Sequence, residues 1–213
     1  MADFKTHLTG GIAVGATFSA ISFISFEMNI IQSFAVFTMG LLGGILPDLD
    51  SDSGKPLALI SGMLSVLFPA LLLSQISSKT SFTPEFLISY FAFSYFVINY
   101  IFCELIKKMT KHRGIMHSIP FSFLCAEIAY LLFYPSGQNM TTMAALSIFF
   151  GCIIHLILDE LNAFYFKFGF IPMLNKSSGT ALKLYSKDIF ANIIILTSLA
   201  IVTVMIVFIN SIK

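Results

Sequence analysis

Seven apolar stretches of roughly 17–22 residues constrain this chain more than any other feature, because a membrane-crossing helix needs about 20 such residues. They lie at roughly 8–26, 30–46, 57–75, 86–106, 118–134, 142–160 and 189–210. Only 11% of the residues are charged, whereas soluble domains average about 25%. The sequence therefore predicts an all-α, polytopic membrane helical bundle with about seven transmembrane helices, formed as a single integral-membrane domain over 1–213.

The lysine and arginine residues predict the orientation of the bundle. Of the 12 lysine and arginine residues, all but Lys79 and Lys213 fall in segments that share one side of the membrane. Since cytoplasmic loops carry the excess of positive charge, the N-terminus is expected in the cytoplasm and the C-terminus outside. The net charge of +1 offers no field that would attract nucleic acid, so nucleic-acid binding is excluded.

Small residues recur at helical spacing in the first two apolar stretches. Gly11 and Gly15 form one such pair, and Gly40 and Gly44 form another. Glycine at this spacing allows close helix packing within lipid. Flexibility near a functional site is the alternative interpretation.

The ionisable residues of the apolar regions gather on one side of the predicted bundle. An ionisable group at or near the membrane interior is costly and therefore usually functional. Under the orientation derived from lysine and arginine alone, all four histidines and five of the acids fall at cytoplasmic helix ends or in cytoplasmic loops. These residues are His7, Asp48, Asp50, Asp52, His112, His117, His155, Asp159 and Glu160. Their common depth predicts one shared site, with metal-ligand motifs within 7–160.

Two of the motifs have a spacing that suits metal binding. His155 and Asp159 are four residues apart and share one helix face, so both could bind one ion. A simple hydrogen bond between them, without metal, is the alternative. His112 and His117 flank Gly114, which permits a turn that aims both rings at one point; a polar interfacial loop is the alternative.

The remaining motifs are weaker when taken alone. Asp48 and Asp50 follow Pro47, which ends the second apolar stretch, and they place two carboxylates close together. An acidic helix cap is the alternative interpretation of this pair. His7 by itself would be an ordinary interfacial histidine, and it becomes a candidate ligand only in combination with the other groups.

The donor types predict a divalent cation. Imidazoles and carboxylates suit zinc, manganese, iron or magnesium, and the three cysteines form no zinc-binding pair. The candidate ligands are His7, Asp48, Asp50, His112, His117, His155 and Asp159. Since zinc takes about four ligands, either some of these residues support the others or two ions are bound. We expect one or two ions, with zinc the first choice, and hydrolysis by metal-activated water.

In combination, these residues resemble the YdjM/YbcI-type family of predicted bacterial inner-membrane metal-dependent hydrolases. The resemblance rests on an N-terminal histidine, Gly-Gly-Ile-Leu-Pro-Asp-Leu-Asp, His-Arg-Gly-x-x-His-Ser and Gly-x-x-x-His-x-x-x-Asp. It covers His7 to Asp159, about three-quarters of the chain. For 161–213 the hydrophobicity predicts an interfacial loop followed by the last transmembrane helix. The resemblance implies a helical membrane fold, a hydrolase activity and a location in the bacterial inner membrane.

The expected substrate is a membrane lipid or a lipid-linked molecule, because the site would open at headgroup depth. Arg113 is the only arginine of the chain and could bind a phosphate bidentately. Glu160, or Asp50 where it is not a ligand, could relay a proton. We therefore expect cleavage of a phosphoester or phosphoanhydride, with amide or ester hydrolysis as an alternative.

Three other functions fit parts of the sequence. A transporter of ions or small solutes could use Glu127 and Asn99, which lie within apolar stretches, with the histidines and aspartates as a regulatory or structural metal site. A haem protein with paired histidines would leave the aspartates unexplained. A membrane scaffold with a purely structural metal is the third alternative.

Overall fold

The computed structural model of the protein describes residues 3–50, 55–76, 82–102, 104, 116–162, 164–167, 171–174, 183–186 and 188–211. Most of these residues are helical. The main helices are α1 Phe4–Ser25, α2 Ile30–Ile45, α3 Lys55–Ile76, α4 Pro84–Phe96, α5 Ile119–Phe133, α6 Gln138–Leu161 and α7 Ile189–Ser211. The predicted all-α membrane architecture is confirmed.

Among the residues that the structure describes, five segments are long and apolar enough to cross a membrane. They are Phe4–Ser25, Ile30–Asp48, Ile119–Ser136, Gln138–Leu161 and Ile189–Ser211. The other two predicted spans are also helical, but α3 contains a shorter apolar segment, Leu59–Ser74, and α4 has 13 residues. The helical nature of all seven stretches agrees with the sequence, while the number of crossings remains a prediction.

Polar caps define where several helices begin. The Asp3 carboxylate accepts a hydrogen bond from the Thr6 backbone N–H at 2.9 Å, and α1 starts at the next residue. The Thr6 hydroxyl, followed by that backbone N–H, lowers the pKa of Asp3 below its ordinary value. Asn29 and Gln32 form a reciprocal capping box before α2. Ser118 caps α5 by accepting from the backbone of its third helical residue.

Short irregular segments extend some of the helices. A 3₁₀ turn, Leu46–Asp50, continues α2, and a π-helical segment, Val97–Phe102, continues α4. The predicted interfacial loop contains an antiparallel hairpin that the sequence analysis did not anticipate, in which Phe164–Lys167 pairs with Ile171–Leu174. Its aromatic and branched residues favour strands, but four residues per strand give too little periodicity to predict one.

Helices α1, α2 and α6 pack closely because glycines line their contacts. A Cβ atom added to Gly40 would lie 2.5 Å from Gly15 Cα, and one added to Gly44 would lie 2.5 Å from Gly11 Cα. No real side chain fits at such a distance, so the two backbones touch directly. The interpretation of the paired glycines as close-packing positions is confirmed.

The other helices surround this group. Helix α5 packs on α6, α7 packs on α5, and α3 and α4 pack mainly on each other. Between α2 and α6, the buried Ser147 hydroxyl donates to the Val36 carbonyl at 2.8 Å. The start of α1, the end of α2, the start of α5 and the end of α6 all meet at one end of the bundle, where the chemically active residues lie.

Candidate metal centre

Five buried side chains meet at this end of the bundle. His7 comes from the first turns of α1, Asp48 from the 3₁₀ turn after α2, and His117 from the residue before the α5 cap. His155 and Asp159 come from the last turns of α6. Their exposed fractions run from 0% to 6%, so all five are shielded from solvent.

The nitrogen and oxygen atoms of this cluster converge on one small volume. His7 Nε2 lies 3.3 Å from Asp159 Oδ1, and His117 Nε2 lies 3.7 Å from Asp159 Oδ2. Asp48 Oδ1 lies 3.6 Å from Nε2 of both His117 and His155. The rings of His7 and His155 stack with centroids 3.7 Å apart. Each carboxylate thus faces two imidazoles.

The separations within the cluster lie closer to those between metal ligands than to those of ordinary hydrogen bonds. An N–H···O hydrogen bond spans about 2.7–3.2 Å, and the four pairs are all longer. Ligands that each lie about 2.1 Å from a tetrahedral zinc are roughly 3.4 Å from one another, which matches the observed range of 3.3–3.7 Å. The spacing of the donor atoms is therefore compatible with a bound cation.

Unpaired buried atoms support the same interpretation. Over the part of the chain that the structure describes, His7 Nε2, His155 Nε2 and Asp48 Oδ1 have no hydrogen-bond partner. Burying such polar groups without a partner is costly. A bound cation would offset this cost, and so the residues present fit a divalent metal.

Two overlapping sets of ligands are available within the cluster. His7, Asp48 and His155 form one set, and His117, His155 and Asp159 form the other, with the ligand atoms of each set within 4.8 Å of one another. Both sets include His155. Because the two sets share this imidazole, they form a single connected cluster and not two separate sites.

A backbone carbonyl orients His155. Its Nδ1 lies 2.8 Å from the Gly44 oxygen, and since a carbonyl only accepts, Nδ1–H must donate. The lone pair is then on Nε2, which faces Asp48, as in metal-binding histidines held by a second hydrogen bond. The alternative hydrogen bond between His155 and Asp159 is not formed, because Nδ1 is engaged by Gly44 and Nε2 has no hydrogen-bond partner among the residues described.

Gly44 belongs to the site although its residue type did not predict a role there. Gly44 contributes a main-chain oxygen, and the sequence carries no direct signal for a contribution of that kind. The paired glycines were the available clue, since they predict that another helix approaches the α2 backbone closely.

A second unpredicted feature is the parallel bridge between Ser118 and Lys183, in which the Ile119 N–H donates to the Lys183 carbonyl at 3.0 Å. This bridge brings the segment before α7 beside His117.

Other predicted site residues lie outside the cluster or outside the described residues. His112 and Arg113 are in the latter group. Asp50 ends the 3₁₀ turn, and only its backbone is described. Glu160 is half-buried next to Asp159, and it belongs to neither set of ligands found in the described part of the chain.

The two residues considered for transport lie in different parts of the bundle. The Asn99 side chain donates to the Tyr95 carbonyl of its own helix at 3.0 Å. Glu127 Oε1 accepts from the Thr203 hydroxyl at 2.6 Å, which joins α5 to α7. Each residue therefore has a hydrogen-bond partner of its own, Asn99 within its helix and Glu127 on α7.

Comparison with known proteins adds one result. The model of the YdjM inner membrane protein family matches residues 1–212, a range that contains the whole cluster. No curated protein and no solved structure matches the chain.

Proposed function

Because the chain belongs to the YdjM inner membrane protein family and is a multi-pass protein of the inner membrane, we propose that it is a metal-dependent hydrolase acting at the cytoplasmic face of that membrane. The observation that carries this proposal is the convergence of five buried imidazole and carboxylate groups from four helix ends. Such a cluster would be hard to maintain in a membrane protein without a bound cation.

The donor set indicates which cations the site would take. Three imidazoles and two carboxylates suit zinc first, and manganese, iron or magnesium as alternatives. When bound, such an ion would supply an activated water and stabilise the negative charge that develops during hydrolysis.

The residues of the chain would act by holding their donor atoms in place. The Gly44 carbonyl fixes the His155 ring, and the stacking of His7 on His155 restricts both rings. Asp48 and Asp159 each approach two histidines, so removal of either carboxylate would disturb more than one ligand. Burial of all five groups excludes bulk water and strengthens their electrostatic interactions.

We assign three further roles on chemical grounds. Arg113, four residues before His117 in the sequence, would bind the phosphate group of the substrate through its planar guanidinium. Asp50 or Glu160 would relay the proton released from the attacking water. Both acids neighbour a cluster residue in the chain, Asp50 near Asp48 and Glu160 beside Asp159.

The position of the site at a helix end suggests an amphiphilic substrate. A lipid keeps its hydrocarbon chains in the bilayer and its headgroup at the depth where the helices end. We therefore propose a phosphoester or phosphoanhydride of a lipid or lipid-linked molecule as the substrate. Amide and ester substrates are the alternatives to include in a screen.

Metal analysis of detergent-purified protein tests the site directly. We expect about one or two equivalents of divalent metal in the wild type, and much less in His117→Ala and Asp159→Ala. Asn162→Ala is a matched control, because Asn162 also lies at the end of α6 but its exposed side chain donates to the Leu158 carbonyl of its own helix. Calorimetric titration with zinc, manganese and magnesium would detect a weakly held ion. Equal or absent binding in all four proteins would overturn the metal centre.

Activity is tested in proteoliposomes of wild type and the same variants. Lipid phosphomonoesters, lipid pyrophosphates, esters and amides would be supplied in turn, with and without the preferred metal. We expect metal-dependent release of phosphate that is lost in His117→Ala and Asp159→Ala but kept in Asn162→Ala. Absence of turnover with every class, in protein that holds its metal, would argue for a structural metal.

A further inference from the structure

His117 differs from the other four donor residues of the cluster in the backbone that carries it. His7, His155 and Asp159 lie within α-helices, and the 3₁₀ turn that continues α2 carries Asp48. His117 lies instead in a bend before α5. Since no helix of its own fixes this part of the backbone, a fixed position of the His117 ring depends on support from a neighbouring segment.

Residues 183–186, here called the strap, run beside the start of α5. Ser118, the residue after His117, forms a parallel bridge with Lys183, and the Ile119 N–H donates to the Lys183 carbonyl at 3.0 Å. Ile119 is the first residue of α5, and the N–H of a first helical residue has no acceptor within its own helix. The strap therefore supplies that acceptor and holds the backbone directly after His117.

The strap is in turn fastened to α7 by the side chain of Asn192. The Asn192 amide donates to the Ser186 carbonyl at 2.8 Å and accepts from the Ser186 N–H at 2.8 Å. One side-chain amide thus pairs with both backbone groups of one residue, which fixes the position and the orientation of that residue. Because Ser186 is buried, water competes little for these two hydrogen bonds.

Further hydrogen bonds make the junction between the strap and α7 rigid. The Ser186 hydroxyl donates to the Asp188 carbonyl at 3.2 Å and accepts from the Asp188 N–H at 3.1 Å. The Asp188 carboxylate accepts from the N–H groups of Phe190 at 3.0 Å and Ala191 at 3.2 Å, and it thereby caps α7. The end of the strap and the start of α7 should therefore move as one unit.

Helix α7 gives the strap a fixed reference within the bundle. It is long and apolar enough to cross a membrane, it packs on α5, and Ile195, one turn after Asn192, is buried in the hydrophobic core. The α7 sequence, residues 189–211, contains no histidine, cysteine or acidic residue. Any contribution of α7 to the cluster is therefore indirect.

We propose that Asn192 is a positioning residue of the metal centre and that it acts on His117 through the strap. His117 Nε2 lies 3.6 Å from Asp48 Oδ1 and 3.7 Å from Asp159 Oδ2, so a small shift of the backbone would move this nitrogen away from the other donor atoms. Groups that orient a metal ligand typically contribute about 10–100-fold to metal affinity. The proposal rests on the proposed function, because it takes the cluster to be a metal site.

Calorimetric titration of the metal-free protein with zinc tests the positioning role. Asn192→Leu keeps the approximate size of the side chain and removes both of its hydrogen-bonding groups, and we expect it to lower zinc affinity about tenfold. Thr197→Val is the matched control, because Thr197 lies on the same helix and its hydroxyl donates to the Ile193 carbonyl of that helix at 2.6 Å. The control should bind zinc as the wild type does. Wild-type zinc affinity in Asn192→Leu would overturn the proposal.

NMR of ring-labelled histidines in the metal-free protein separates positioning from a general loss of stability. The His117 signal is assigned by its absence in His117→Ala. We expect Asn192→Leu to shift or broaden this signal and to leave the signals of His7 and His155 unchanged, whereas Thr197→Val changes none of the three. Equal changes in all three signals would show a general disturbance of the bundle and would contradict a specific role at His117.

The two measurements together separate this proposal from the proposed function. Wild-type protein that binds zinc, with neither affinity nor the His117 signal altered in Asn192→Leu, overturns the positioning role alone. A selective change of the His117 signal in a protein that binds no divalent metal supports the positioning of His117 by Asn192 and overturns the metal centre. Absence of both metal binding and any change in the signal overturns both proposals.

Discussion

His155 Nδ1 donates a hydrogen bond to the Gly44 carbonyl across 2.8 Å and 111 residues of sequence. The contact joins the end of α6 to the end of α2, the two helices that also bring Asp159 and Asp48 to the cluster. It couples the packing of the bundle to the orientation of a proposed metal ligand. A change in either helix should therefore be visible in metal binding.

Replacing His155 with leucine tests whether the cation stabilises the fold. A ligand that binds only the folded state adds about 2.7 kcal/mol at a concentration 100 times its Kd. We expect a chelator to lower the Tm of the wild type and of Asn162→Ala, but to leave the Tm of His155→Leu unchanged. Thermal unfolding in detergent with and without chelator measures this. A similar chelator effect in His155→Leu would count against this residue as a ligand.

Substitution at Gly44 tests the helix contact that supports the site. A Cβ atom in Gly44→Ala would lie 2.5 Å from Gly11 Cα, so α1 must move away and carry His7 with it. Overpacking of this kind costs about 1–3 kcal/mol, and metal content should also fall. The control, Gly62→Ala, meets no neighbour within 4 Å among the described residues and should be neutral or stabilising by up to about 1 kcal/mol. Equal stability of the two variants would contradict this account.

Substitutions at the contact between Glu127 and Thr203 test whether Glu127 has a structural role or takes part in transport. Thr203→Val removes the hydroxyl that donates to Glu127 at 2.6 Å, and we expect a loss of about 0.6–1.7 kcal/mol, as for other hydrogen bonds between membrane helices. Glu127→Gln keeps an acceptor and should remain near wild type in stability and metal content. Ion flux measured in proteoliposomes provides the discriminating result, since flux in the wild type that disappears in Glu127→Gln would favour the transporter.

The predicted orientation is tested with single cysteines in a cysteine-free background. Lys79→Cys should react with a membrane-impermeant maleimide added to intact cells, because Lys79 is expected on the outer side. Lys183→Cys, beside the cluster segment at Ser118, should react only after the membrane is permeabilised. The reverse pattern would place the cluster on the outer face.

Helix positions were predictable because apolar length and polar caps act locally. The stretch predicted at 30–46 is the helix Ile30–Ile45, which begins after the Asn29 cap and passes into a 3₁₀ turn at the residue before Pro47. The number of membrane crossings was harder to predict, because apolarity alone does not show that Pro84–Phe96 is 13 residues long before a π segment begins.

For the candidate site, the sequence was enough to predict which residues come together but not which atoms contact one another. Residue type and position at helix ends were enough to propose His7, Asp48, His117, His155 and Asp159 as neighbours, and the structure brings these five together. The pairing within the set was not predictable. Spacing placed His155 and Asp159 on one helix face, and their ligand atoms do lie within 4.8 Å of one another, but the contacts of the two His155 ring nitrogens with Gly44 and Asp48 had no signal in the sequence. That choice depends on how closely α2 approaches α6, which is a long-range property.

The distribution of the cluster along the chain has a consequence for biogenesis. His7 lies in α1, whereas Asp159, 3.3 Å away in the folded protein, is made about 150 residues later. A polypeptide that ends before α6 would lack His155 and Asp159, two of the five donor groups, and would not complete the proposed metal site. Metal capture would then report that α6 has been inserted and has packed against α1 and α2.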